Sequence, residues 1–125
     1  IAEKESLVNE YYIKSKIYEE LEYLCYNLSH IGTTYLCECI FLLYFSDNYD
    51  DNLSKNIYPI VAKKYGTTPN NIKCNIIQAT KISYYECEEN KLKSYFYNFL
   101  HSKPKTKDVI SEVLKHLNKN TYIKM

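Results

Sequence analysis

The stretch from Tyr58 to Ile77 reads YPIVAKKYGTTPNNIKCNII, and its punctuation is that of two helices joined by a tight turn. Gly66 is a residue at which the chain enters the left-handed region without a Cβ penalty, so a helix that stops there can change direction. Thr67 or Thr68 caps the helix that follows. Its first turn holds Pro69, where a missing N–H breaks no helical bond. Ala62, four residues before Gly66, lets two helices approach, and Ile72, six residues after it, returns to a shared core. This is the spacing of a helix-turn-helix.

On the helix after the turn, Ile72, Ile76, Ala79 and Ile82 make one apolar face, while Asn71, Cys74, Asn75, Gln78 and Lys81 fall on the other. A carboxamide matches the N6 donor and N7 acceptor of adenine, so Asn70, Asn71, Asn75 and Gln78 are candidate base-facing residues. Lys55, Lys63, Lys64, Lys73 and Lys81 are candidate phosphate contacts, and no acid occurs between Lys55 and Tyr85. The competing reading of the same residues is a helical hairpin whose polar face is only solvated.

The chain on either side is also helical in pattern. Residues 3–28 carry Leu7, Tyr11, Ile13, Ile17, Tyr18, Leu21, Leu24, Cys25 and Leu28 at spacings of three and four, with Glu19, Glu20 and Glu22 between them. After a break at Gly32, Thr33 or Thr34 caps a helix through Tyr35, Leu36, Cys39, Ile40, Leu43 and Tyr44. With Phe41, Leu42 and Phe45 it is apolar nearly all round, the pattern of a central buried helix. Residues 46–52 form an acidic loop that lacks the glycine and terminal glutamate of a calcium loop. A third helix covers 53–65, with Pro59 near its start or kinking it. The fourth runs to about Tyr85. Beyond an acidic break at Glu86 to Asn90, Leu92 to Leu100 is rich in tyrosine and phenylalanine. Lys103-Pro104-Lys105 makes a basic turn, and Thr106 or Lys107 opens a last helix with Val109, Ile110, Val113, Leu114 and Leu117.

Composition agrees with this reading. The 125 residues suit one domain, and two glycines and three prolines leave too few turns for a sandwich, a barrel or a glycine-rich phosphate loop. Residues 1–54 hold ten acids and three lysines, net −7, and residues 55–125 hold thirteen lysines and five acids, net +8. Every cation is lysine, so bidentate recognition of guanine by a guanidinium is not on offer. The fifteen tyrosines read as packing. Cys25, Cys37, Cys39, Cys74 and Cys87 match no zinc spacing and read as structural thiols, so no metal site and no cofactor are expected. His30, His101 and His116 are scattered, with no nucleophile motif and no paired carboxylates, which argues against an enzyme. No apolar run of membrane-spanning length and no basic-then-apolar leader occur, so the expectation is a cytoplasmic chain that does not engage a membrane.

The residues also resemble a known family, the C-terminal DNA-binding effector domain of the response regulator that initiates sporulation. Tyr35-Leu36-Cys37-Glu38-Cys39-Ile40 is similar to the family's YLxEAI helix. Ile57-Tyr58-Pro59 with Ala62-Lys63-Lys64-Tyr65-Gly66-Thr67-Thr68 is similar to its LYPxIAKKFxTT turn, and Lys103-Pro104 to the lysine-proline pair before its final helix. The resemblance covers about 90 residues in order. It implies an all-helical effector domain that binds promoter DNA through a helix-turn-helix, often as tandem copies. Where the family carries arginines on the recognition helix, this chain has Asn71, Cys74 and Ile77, so a changed site preference is expected. Glu38, which matches a family position, reads as structural. The expectation is that the acidic helix of residues 1–28 stands where the family has a receiver domain with a phosphorylatable aspartate, so that control by phosphorylation is not expected to carry over.

These readings converge on an all-α fold, a helix-turn-helix-containing bundle of about six helices. Residues 1–30 are expected to form an N-terminal amphipathic acidic helix, and residues 31–125 the sporulation-effector-like domain. The expected function is a DNA-binding transcriptional regulator of A/T-rich double-stranded sites. The alternative is a protein-interaction module that kept the fold, lost DNA binding and acts through its N-terminal helix. The wide apolar stripe of that helix further predicts a homodimer through residues 3–28.

Overall fold

In the computed structural model the chain is described over residues 2–46, 52–96 and 102–123, with side chains placed over 9–46, 52–96 and 102–118. Among the described residues there are six α-helices and no strand. They are α1 (Ala2–Tyr23), α2 (Ile31–Tyr44), α3 (Tyr58–Tyr65), α4 (Pro69–Glu86), α5 (Glu89–Tyr95) and α6 (Thr106–Ile123), and a π-helical turn over Leu53–Ile57 leads into α3. The all-helical expectation holds. The acidic loop at 47–51, the aromatic residues at 97–100 and His101 lie outside the described residues.

The helix boundaries follow hydrogen bonds that apolar spacing alone does not reveal. The first helix, predicted to reach residue 28, stops at Tyr23. Cys25 adopts a left-handed conformation (φ 66°), its N–H donates to Glu22 O at 2.9 Å, and the Tyr26 N–H donates to Leu21 O at 2.9 Å. That is a Schellman stop built on a cysteine instead of a glycine. The second helix starts earlier than predicted, and its cap is neither Thr33 nor Thr34. His30 Nδ1 accepts from the Gly32 N–H at 2.9 Å, and Gly32 lies inside the first turn. The predicted third helix is split. Proline has no N–H, and its ring crowds the carbonyl four residues back, so the chain widens ahead of Pro59 and the Tyr58 N–H reaches Leu53 O.

Helix α2 lies at the centre, packed against α1, α3, α4 and α6. Leu36, Cys37, Cys39 and Ile40 are fully buried, as an all-round apolar helix requires. Against it sit Ile17 and Leu21 from α1, Val61 and Ala62 from α3, Ile72 and Ile76 from α4, and Val109 and Val113 from α6. Ile17 and Leu21 are 0% exposed, so neither is available to a second copy of the chain. On α4 the buried face is Ile72, Ile76, Ala79, Thr80 and Ser83, and Ile82 is only half-buried. Polar residues turn inward because the α1–α2 connection needs partners. Ser83 Oγ donates to Leu24 O at 2.6 Å, and Tyr26 Oη and Thr80 Oγ1 share a hydrogen bond of 2.8 Å.

Two further ties close the bundle. Tyr95 stacks on His116 of α6 with centroids 3.9 Å apart, and its hydroxyl donates to Glu20 of α1 at 2.9 Å. At the start of α6 the Asp108 carboxylate accepts the Lys105 N–H at 3.0 Å while the Asp108 N–H donates to Lys105 O at 2.9 Å. This is the reciprocal half of a capping box, which fixes the basic turn Lys103-Pro104-Lys105 against the helix it precedes.

Candidate nucleic-acid interface

The joint between α3 and α4 is a second Schellman stop, here at a glycine. Gly66 has φ 65° and ψ 39°, and the Thr67 N–H donates to Ala62 O at 2.9 Å. Thr68 then caps α4, its hydroxyl accepting from the Asn71 N–H at 3.1 Å, and Pro69 occupies the first turn. Ala62 and Ile72 are buried on the two sides of the turn, as their spacing predicts.

The four candidate base-facing residues do not share one environment. Asn70, Asn71 and Gln78 are exposed, and Asn75 is half-buried where the start of α2 crosses α4. The Asn71 amide donates to Thr67 Oγ1 at 2.8 Å, and the Asn75 amide donates to Asn71 O at 2.9 Å and Asn71 Oδ1 at 3.0 Å. Those donors brace the first turns of α4. Among the described residues nothing holds the carboxamides of Asn70 and Gln78. The outward stripe of α4 is Asn70, Asn71, Cys74, Gln78, Lys81 and Tyr85, all exposed.

The five candidate phosphate-facing lysines divide by position. Lys63 and Lys64 occupy the last turn of α3, Lys55 the π-helical turn, and Lys73 and Lys81 the length of α4; all five are exposed. Lys73 lines a cavity of about 380 Å³ together with Lys103, Lys105 and Lys107 from the segment entering α6, and Ser54, Tyr58 and Ile77 lie beside them. No carboxylate lines it among the described residues. Lys103, Lys105 and Lys107 were not among the phosphate candidates. The basic turn is visible in the sequence, but its placement beside α4, some thirty residues away in the chain, comes from the tertiary fold. The side of α4 facing this turn is therefore more cationic than the local run predicts.

Behind the turn, Glu38 of α2 is 8% exposed and accepts from two lysines: Lys64 at 2.7 Å and Lys14 of α1. Burial pushes its carboxyl upward, but the bonds from Lys14 and Lys64 outweigh that and hold it below the usual carboxylate range. Lys14 is raised above the ordinary lysine range because the Glu38 bond and charge outweigh its own desolvation. Tyr65 packs edge-on against Tyr35 at 5.2 Å, fixing the end of α3 over α2.

The cysteines are free thiols. Burial pushes Cys37 and Cys39 up to about 12, and burial with Cys25 alongside pushes Cys87 up to about 11. Only Cys74 is exposed among them. Among the described residues no three histidines, cysteines or carboxylates gather in a way that holds a metal, and no helix is long and apolar enough to cross a membrane.

A helix-turn-helix inside an all-helical bundle, with a polar outer stripe on its second helix and lysines flanking it, defines a DNA-binding type of domain. The chain belongs to the family described as Sporulation initiation factor Spo0A C terminal, which it matches over residues 17–120. The family is one of DNA-binding effector-type domains and not of enzymes. No curated protein matches the sequence significantly.

Proposed function

We propose that the chain is a transcriptional regulator that inserts α4 into the major groove of A/T-rich duplex DNA, with a sequence preference altered from that of its family. The observation that carries this reading is the outer face of α4. Asn70 and Gln78 present unengaged carboxamides there, Lys73 of the same helix lines a cavity with Lys103, Lys105 and Lys107, and Lys63 and Lys64 end the helix that precedes the turn. Recognition helices read bases through their N-terminal turns while flanking cations hold the backbone, and this arrangement supports both tasks. Asn71 and Asn75 contribute by holding the start of α4 rigid, and read adenine only if their mutual hydrogen bonds exchange for base contacts. Such a regulator works in the cytoplasm, without a cofactor.

The test is fluorescence anisotropy on A/T-rich and G/C-rich duplexes at two salt concentrations. About five phosphate contacts give a log-log salt slope of roughly −4 to −5, with tighter binding to the A/T-rich duplex. Absence of binding to any duplex at low salt rejects the reading and leaves the interaction-module alternative. One feature favours that second reading: Phe41, Tyr44 and Phe45 form an aromatic cluster at the end of α2, with Phe45 62% exposed. Self-association through residues 3–28 has less to work with, since Ile17 and Leu21 are spent in the core and, among the described side chains of that helix, the exposed rings are Tyr11, Tyr12 and Tyr23.

A further inference from the structure

The carboxylate of Glu38 joins three helices through two cations of different standing. Lys64 belongs to α3, on the rim of the turn that presents α4, and half of its side chain is exposed. Lys14 belongs to α1 and lies three residues ahead of the segment that matches the family. Its side chain is only 20% exposed, and it is also fixed by Glu10 at 3.6 Å and by the Phe41 ring at 5.0 Å. Lys14 is therefore held in place whether or not Lys64 stays.

A buried carboxylate that loses its sole cation is strongly disfavoured, whereas one that keeps a second, well-placed cation is not. We propose that Lys14 is a positioning residue for DNA contact: by holding one oxygen of Glu38, it lets Lys64 exchange from that carboxylate to a duplex phosphate. This rests on the DNA-binding reading above. Without Lys14, Glu38 retains Lys64 and the rim of the interface loses a cation. The coupling is reciprocal. A duplex that takes Lys64 leaves Glu38 leaning on Lys14, so DNA binding tightens the hold of α1, and a partner that lifts α1 weakens DNA binding.

The test is a double-mutant cycle on the full chain with an A/T-rich duplex, each variant first checked for native helicity by circular dichroism. Lys14→Met is expected to lower affinity about tenfold and to make the salt slope shallower by about one, the loss of one phosphate contact. Adding Glu38→Gln to it is expected to restore both to within about twofold of wild type, because no carboxylate then competes for Lys64. A direct phosphate contact by Lys14, or a purely structural role, gives a loss that Glu38→Gln does not rescue, and overturns the proposal. So does a Lys14→Met variant that binds as wild type does. A second readout needs no DNA: acylation of Lys64 by an amine-reactive ester, followed by peptide mass spectrometry, is expected to be slower in Lys14→Met and faster in Glu38→Gln. Equal acylation rates overturn the exchange at Glu38 even when wild type binds DNA. Failure of wild type to bind any duplex, with unequal acylation rates, instead locates the fault in the DNA-binding reading.

Discussion

The α-carbon of Gly32 faces the carbonyl of Asn75 so closely that a Cβ built on it falls 2.6 Å from the carbonyl carbon and against its oxygen. The start of α2 and the middle of α4 therefore cross backbone to backbone, and the obstacle to any side chain is a helix rather than a flexible group. Gly32→Ala is expected to cost about 3 kcal/mol, at the upper end of overpacking effects because the backbone itself must move. A urea melt checks this: the midpoint falls with an unchanged m-value. Since the displaced element is α4, duplex binding should weaken even under conditions where the variant remains folded.

Gly66 makes an opposite case. Its φ of 65° is left-handed, yet nothing lies within 4 Å of a Cβ built there. The cost of Gly66→Ala is then conformational alone, about 1 kcal/mol, and Gly66→Asn should cost less because asparagine tolerates that region. Thermal melts of the two variants give the order. Equal stability of wild type and Gly66→Ala removes the left-handed stop as the reason for a glycine at this position.

These two glycines show what the sequence discloses and what it hides. The Gly66 turn, the Thr68 cap and the burial of Ala62 and Ile72 are local features, and spacing alone reveals them. Gly32 reads locally as a break, but its function comes from Asn75, forty-three residues on. The first helix likewise ends at Tyr23 on a left-handed cysteine, where no residue type announces a stop. The site divides in the same way. The carboxamides and lysines of α3 and α4 are legible from periodicity. The engagement of Asn71 with Asn75, the Lys103 to Lys107 wall beside Lys73 and the sharing of Glu38 by Lys14 and Lys64 depend on tertiary contacts.

Glu38 predicts an acid limb in the stability profile. Its carboxyl is held below its ordinary value of 4.5 in the folded chain, so the unfolded chain takes up a proton more readily. The stabilisation from its lysine partners is present in full above that ordinary value and is lost as pH falls through the lower folded value. Glu38→Gln should flatten this limb in urea melts taken between pH 3 and 7. At neutral pH it should cost about 1–3 kcal/mol, a range that discounts the solvent reach of the two lysines. An acid limb of unchanged steepness in Glu38→Gln assigns it to other carboxylates.

The lysine wall and the carboxamides should separate in their effects on DNA binding. Lys73→Ala and Lys105→Ala each remove one cation from the side of α4 that faces the basic turn. Each should weaken A/T-rich and G/C-rich duplexes alike and make the salt slope shallower by about one. Gln78→Ala should leave the slope unchanged and narrow the gap between the two duplexes, by roughly 1–3 kcal/mol if its carboxamide pairs with adenine. If Gln78→Ala and Lys73→Ala both bind as wild type does, α4 is not the reading element.

Cys74 offers a direct report on which face of α4 meets DNA. It is the one exposed thiol among five free cysteines and lies on the outer stripe with Asn70, Asn71 and Gln78. Cys37 and Cys39 are buried and pushed up to about 12, so neither presents an accessible thiolate near neutral pH. Iodoacetamide should therefore modify Cys74 first, and an A/T-rich duplex at low salt should slow that reaction at least about tenfold by covering the stripe. The protection should fade as salt is raised, in step with the loss of binding. The reaction of Cys25, half-buried beside Cys87 and away from the stripe, serves as the internal control and should be unaffected by DNA. A duplex that binds yet leaves Cys74 as reactive as before would place DNA on another surface of the bundle, and α4 would then lose its role as the recognition helix.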